Sequence, residues 1–122
     1  MEIQLARMRQ WRIVAHEMIF YETDVFTARI TELIDDESYA ALQATLVIDP
    51  EAGDLIPRSK GLRKIRWLGN ARGKRGGIRV IYYLVHNEEI FMLYAYPKNR
   101  ESDLSSRHLQ MLRALVEQHL ES

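Results

Sequence analysis

Apolar residues change their spacing twice along this chain, and each change marks a new kind of element. Residues 18–26 (MIFYETDVF), with Ile19, Tyr21 and Val25 among the apolar members, predict a short strand. Phe26, Ile30, Leu33 and Ile34 then follow the three-and-four spacing of a helix face. Asp35 or Asp36 offers an N-cap for a second helix, with Ser38 as a further candidate. Tyr39, Leu42, Leu46 and Val47 trace its apolar stripe, which stops at Asp49-Pro50 and the Gly53 turn. The two helices predict a hairpin.

After Pro57 the period shortens. Residues 61–68 (GLRKIRWL) alternate, with Leu62, Lys64 and Arg66 on one face and Arg63, Ile65 and Trp67 on the other. Residues 69–77 (GNARGKRGG) predict a basic, glycine-rich loop. Residues 78–86 and 90–98 are apolar and β-prone, and Asn87-Glu88-Glu89 between them suits a hairpin turn. Leu104 before the N-cap Ser105, with Leu109 four positions beyond the cap, has the layout of a hydrophobic staple. Leu109, Leu112, Val116 and Leu120 then mark the stripe of a closing helix. The order strand, helix, helix, three strands, helix predicts an α+β domain. Its sheet is expected to be mixed, mostly antiparallel and of about four strands, with the helical hairpin on one face and a C-terminal helix.

Composition narrows the possibilities. A chain of 122 residues suits one domain with a sizeable core, and 47% hydrophobic with 28% charged residues is ordinary for a globular protein. The absence of cysteine rules out disulfides, thiolate metal ligands and a thiol nucleophile. No apolar run approaches the roughly 20 residues that span a bilayer. The opening stretch contains Arg7, Arg9 and Arg12 but no clean apolar block, so it makes a poor signal peptide. The expected location is the cytoplasm.

The zero net charge conceals a segregation. Glu17 to Asp54 contains ten acidic residues and one basic, Arg29, whereas Ile56 to Val80 contains nine basic residues and no acidic one. A local positive field attracts polyanions whatever the global charge, so this run is a candidate polyanion site.

The ordered set GLRKIR (61–66), KRGGIRVIYY (74–83) and YPKNRESDLS (96–105) resembles the RelE superfamily of type II toxins, most closely its HigB-like branch. The resemblance covers residues 18–120 and implies a RelE-like fold for a domain at 18–122. It makes residues 1–17 an extension, for which Leu5, Met8 and Trp11 also allow an ordinary N-terminal helix. It further implies a ribosome-dependent endoribonuclease that cuts mRNA, a cognate antitoxin as partner, and neither cofactor nor metal.

RNA can be cut by its own 2′-hydroxyl if one group accepts the proton, another stabilises the charge on phosphorus, and a third protonates the leaving 5′-oxygen. By this resemblance Lys64 is the proton acceptor or its electrostatic helper. Arg66 and Arg79 stabilise the phosphorane-like transition state, and Lys98 orients or protonates the leaving group. Arg58, Lys60, Arg63, Arg72, Lys74, Arg75, Tyr83 and Arg100 are expected to contact RNA around them. Two positions depart from RelE: Asn99 stands where an arginine follows the last-strand lysine, and Leu104 or Ser105 where a tyrosine precedes the final helix.

Other residues carry weaker signals. His16, His86, His108 and His119 have no metal-ligand spacing, and His108 reads as a solvent-facing helix residue able to exchange a proton. Of Tyr82, Tyr83, Tyr94 and Tyr96, alternation leaves about two to stack on bases. Trp67 reads as packed. A ParE-like inhibitor of gyrase and a non-enzymatic RNA- or ribosome-binding module are the alternatives. The clustered basic strand favours the nuclease over the gyrase inhibitor, while charge alone does not separate cutting from binding.

Overall fold

A computed structural model describes residues 5–13, 16–68, 77–86 and 88–121, with the side chains of all of these except 5–13, 16, 17 and 101–103. Among the described residues one sheet runs in the order β1-β2-β6-β5-β4-β3. Its strands are β1 (Leu5–Ile13), β2 (His16–Thr23), β3 (Asp54–Leu55), β4 (Arg63–Trp67), β5 (Ile78–Val85) and β6 (Glu89–Pro97). Every neighbouring pair is antiparallel except β2 with β6, which is parallel. Helices α1 (Asp24–Leu33) and α2 (Asp36–Ile48) form the hairpin, and α3 (Ser106–Glu121) closes the chain.

Two strands exceed the sequence expectation. β3 is two exposed residues long and has too little pattern to announce itself. β1 forms where the spacing of Leu5, Met8 and Trp11 allows a helix; the pairing with β2 shifts register between Leu5 and Met8. Such an irregularity breaks the period of two, and the residue spacing then imitates a helix face.

The helices begin where short polar side chains can cap them. Thr23 Oγ1 accepts from the Phe26 amide at 3.0 Å to start α1. The Asp35 carboxylate accepts from the Ser38 amide at 2.8 Å to start α2, with Asp36 and Glu37 in the favourable first turn. Phe26, Ile30 and Leu33 of α1 and Tyr39, Leu42, Leu46 and Val47 of α2 pack on one face of the sheet against Ile65, Ile78, Val80, Tyr82, Ile90 and Met92. Each such side chain, fully buried, contributes about 1.5–3 kcal/mol.

The opposite face is covered by α3. Leu62, Ile81, Phe91, Leu93 and Tyr96 pack there with Leu112, Leu115 and Val116, and both staple residues, Leu104 and Leu109, join them. The Ser105 cap accepts from the His108 amide at 3.1 Å. Leu120, expected in the buried stripe, is instead 48% exposed, and Leu115 takes the buried place. β5 is thus sandwiched between helices, which explains its nearly unbroken apolar sequence.

Tyr82 ties the middle of β5 to the end of the hairpin. Its hydroxyl donates to the Pro50 carbonyl at 2.7 Å and accepts from the Gly53 amide at 2.9 Å. Burial is the main cause that pushes its pKa above the ordinary value of 10.0. Gly53 itself has no room for a side chain: a Cβ there would lie 2.8 Å from Cε1 of Tyr82.

Candidate functional site

Strand register assembles the basic residues of the α3 face. β4 and β5 pair so that Arg66 stands directly opposite Arg79 and Lys64 opposite Ile81. β5 and β6 continue these rows, Arg79 to Tyr96 and Ile81 to Tyr94. Two parallel rows result, Arg66–Arg79–Tyr96 and Lys64–Ile81–Tyr94, with their side chains on one face. Directly opposed residues in neighbouring strands hold their Cβ atoms roughly 5 Å apart, where like charges destabilise the pair. Such an arrangement is a ready receptor for an anion.

The three cations differ in setting. Arg66 is exposed, Lys64 is half-buried, and Arg79 is only 4% exposed. One guanidinium nitrogen of Arg79 donates to the Ile78 carbonyl at 3.2 Å. Arg79 differs from the other two because β5 is the sandwiched strand. Lys64 also has an acidic neighbour in register: Asp54 of β3 stands directly opposite it. The acidic segment folds back and places its last carboxylate beside the basic strand, a proximity that linear charge counting does not reveal.

Aromatic and imidazole rings complete this end of the face. β6 carries a bulge, since Ile81 pairs with Tyr94 but Tyr82 pairs with Met92, leaving Leu93 without an opposite number. The bulge brings Tyr94 and Tyr96 onto the α3 face, stacked with centroids 5.8 Å apart and planes inclined by 29°. His108, in the first turn of α3, meets Tyr94 edge-on at 4.6 Å. It is half-buried beside the basic rows, not turned to solvent as its sequence position suggests. The staple and the Ser105 cap fix where α3 starts, and the helix start turns His108 toward the sheet. The guanidinium of Arg29 from α1 lies 5.7 Å from the Tyr94 centroid.

A family model described as "RelE toxin of RelE / RelB toxin-antitoxin system" matches residues 24–122, from the first residue of α1 through α3. The chain belongs to the RelE toxin family. It is accordingly a toxin of a toxin–antitoxin system, and the family implies an antitoxin partner.

In this RelE-family toxin the other basic residues named from the sequence are dispersed. Arg63 turns to the hairpin face, where its guanidinium donates to the Gly53 carbonyl at 2.7 Å and lies 3.7 Å from the Glu51 carboxylate. Arg58 and Lys60 are exposed in the loop before β4, both with positive φ. The Lys60 carbonyl accepts from Arg113 of α3 at 3.0 Å. Tyr83 belongs to that same end, under the Arg113 guanidinium at 5.1 Å and against Gly61. It lies four residues along β5 from Arg79, about 13 Å away.

Lys98 and Arg100 are exposed in a 3-10 segment, Lys98–Asp103, that follows β6. The Lys98 amide donates to the Gly77 carbonyl at 3.1 Å, which holds its backbone beside the start of β5 and close to Arg79. Arg72, Lys74 and Arg75 lie outside the described residues. No helix among the described residues is long and apolar enough to cross a membrane. No group of three or more metal-ligating side chains occurs among them.

Proposed function

We propose that this toxin is a ribosome-dependent endoribonuclease of the HigB-like kind, which cuts mRNA in the cytoplasm and so inhibits translation. The reading takes residues 18–122 as the working domain. The observation that carries it is the placement of Arg66 directly opposite Arg79, with Lys64 in the next row of the same face. An RNA phosphate lying over the two arginines receives two planar donor groups matched to its oxygens.

The chemistry follows from that placement. The 2′-oxygen attacks the neighbouring phosphorus, the bond to the 5′-oxygen breaks, and a 2′,3′-cyclic phosphate and a 5′-hydroxyl remain. Arg66 and Arg79 take up the charge that grows on the phosphoryl oxygens in the transition state. Lys64 serves the 2′-oxygen side as proton acceptor or as the cation that steadies the oxyanion. Asp54, opposite Lys64, stands on the same side of the rows. Lys98, beside the start of β5, serves the leaving 5′-oxygen.

Mapping RNA 5′-ends in a translating extract tests this reading. New ends should appear within translated messages and be absent from an untranslated copy of the same RNA. Blocked supercoiling with intact messages would mark a gyrase inhibitor. Arrested ribosomes with intact messages would mark a binding module.

A further inference from the structure

Arg29 is the single basic residue between Glu17 and Asp54. It sits on the exposed side of α1, in the hairpin that covers the other face of the sheet, yet its guanidinium reaches the Tyr94 ring. The topology explains how. β2 pairs with β6 only as far as Met92, and the chain turns into α1 directly after Thr23. Thr23 Oγ1 donates to the Leu93 carbonyl at 2.8 Å, so α1 starts beside the unpaired edge of β6. Tyr94 and Tyr96 lie just beyond that point. Arg29 therefore reaches around the edge toward the face that carries Lys64, Arg66 and Arg79.

We propose that Tyr94, backed by Tyr96 and flanked by Arg29 and His108, receives an unpaired RNA base of the nucleotide next to the phosphate held by Arg66 and Arg79. The inference rests on the cleavage reading above and names a part of the substrate that reading leaves unplaced. Tyr94 is half-buried, between the buried Tyr96 and the exposed Arg29. It lies two strands from Lys64 on one row, about 10 Å away at ordinary strand spacing. That separation puts a flanking base and the reacting phosphate on neighbouring parts of one surface. A tyrosine face stacks on any base, and a guanidinium beside it can stack on the base or hold its phosphate. The bulge at Leu93 is what turns Tyr94 to this face, and a bulge is a common device for re-aiming a side chain at a site.

The test uses the full chain carrying Lys64→Ala to suppress cleavage. Fluorescence anisotropy then compares a short single-stranded RNA with the same RNA made abasic at one nucleotide at a time. One abasic position should weaken binding by about five- to a hundredfold, the range for loss of a stacked base. Adding Tyr94→Leu, or separately the exposed Arg29→Met, should shrink that ratio toward one while binding of the abasic RNA is retained. Thermal melts of both variants exclude simple unfolding. RNA that binds but is indifferent to every abasic position, or a ratio unchanged in the Arg29→Met protein, overturns the subsite and leaves the cleavage reading standing. An RNA that fails to bind at all overturns the subsite alone, since the cleavage reading is judged in the translating extract.

Discussion

Arg66 and Arg79 share one level of the sheet but answer differently to substitution. Arg66 is exposed, so Arg66→Ala should change stability by less than about 0.5 kcal/mol. Losing one electrostatic donor to the transition state should still slow cleavage by roughly a hundred- to a thousandfold. Arg79 is buried and bonded to the Ile78 carbonyl, so Arg79→Ala should cost a similar factor in rate and also about 1–3 kcal/mol of stability. Single-turnover cleavage beside urea denaturation separates the two effects; equal stability losses would mean that Arg79 is no more buried than Arg66. The alternation of residues 61–68 made the side of Lys64 and Arg66 readable in advance. Arg79 was harder, because a basic residue inside an apolar run gives no sign that both faces of its strand are covered. His108 was legible as a first-turn residue of α3 from the Ser105 cap and the staple, but its reading as solvent-facing was wrong. Asp54 was missed as a neighbour of the site because it sits on a two-residue edge strand, which leaves no periodic trace.

At the scale of elements, β5 is the strand on which everything else depends, and Tyr82 is its main polar tie. Tyr82→Phe removes the acceptor for the Gly53 amide and the donor to Pro50, leaving a buried amide unsatisfied, at a cost of about 1–3 kcal/mol near neutral pH. The pH dependence has a definite sign. Burial raises the Tyr82 pKa above 10.0, so the folded state holds its phenolic proton more tightly than the unfolded chain. That stability is fully present below pH 10 and drains away as pH rises through the folded-state value. Tyr21, raised by burial and then by Glu89, adds to the same alkaline loss. Denaturant midpoints at neutral pH and above pH 10 should therefore converge for the parent and Tyr82→Phe proteins; curves that stay parallel would count against this assignment. The helical hairpin, β4, the β5–β6 hairpin and α3 were all legible as periodic apolar stripes with caps. The bulge in β6 was not, although it decides that Tyr94 and Tyr96 turn to the α3 face and not to the hairpin, because one inserted residue merely looks like continued apolar sequence.

At the scale of the molecule, charge is segregated between the acidic helical hairpin and the basic β4–β5 region. An antitoxin that covers the basic face would be steered to it, and its association rate should fall as ionic strength rises. Stopped-flow association at two salt concentrations checks this. An on-rate indifferent to salt would place the antitoxin away from the cationic rows. The same cationic rows underlie the central claim that they cut RNA by promoting attack of its own 2′-hydroxyl. The most direct measurement is the chemistry of the ends left on messages that the toxin cuts in a translating extract. The rows predict a 2′,3′-cyclic phosphate or its 3′-phosphate product together with a 5′-hydroxyl, formed by the parent protein and lost with Arg66→Ala. A 3′-hydroxyl with a 5′-phosphate would mean that water assisted by a metal ion does the cutting, and would contradict the account.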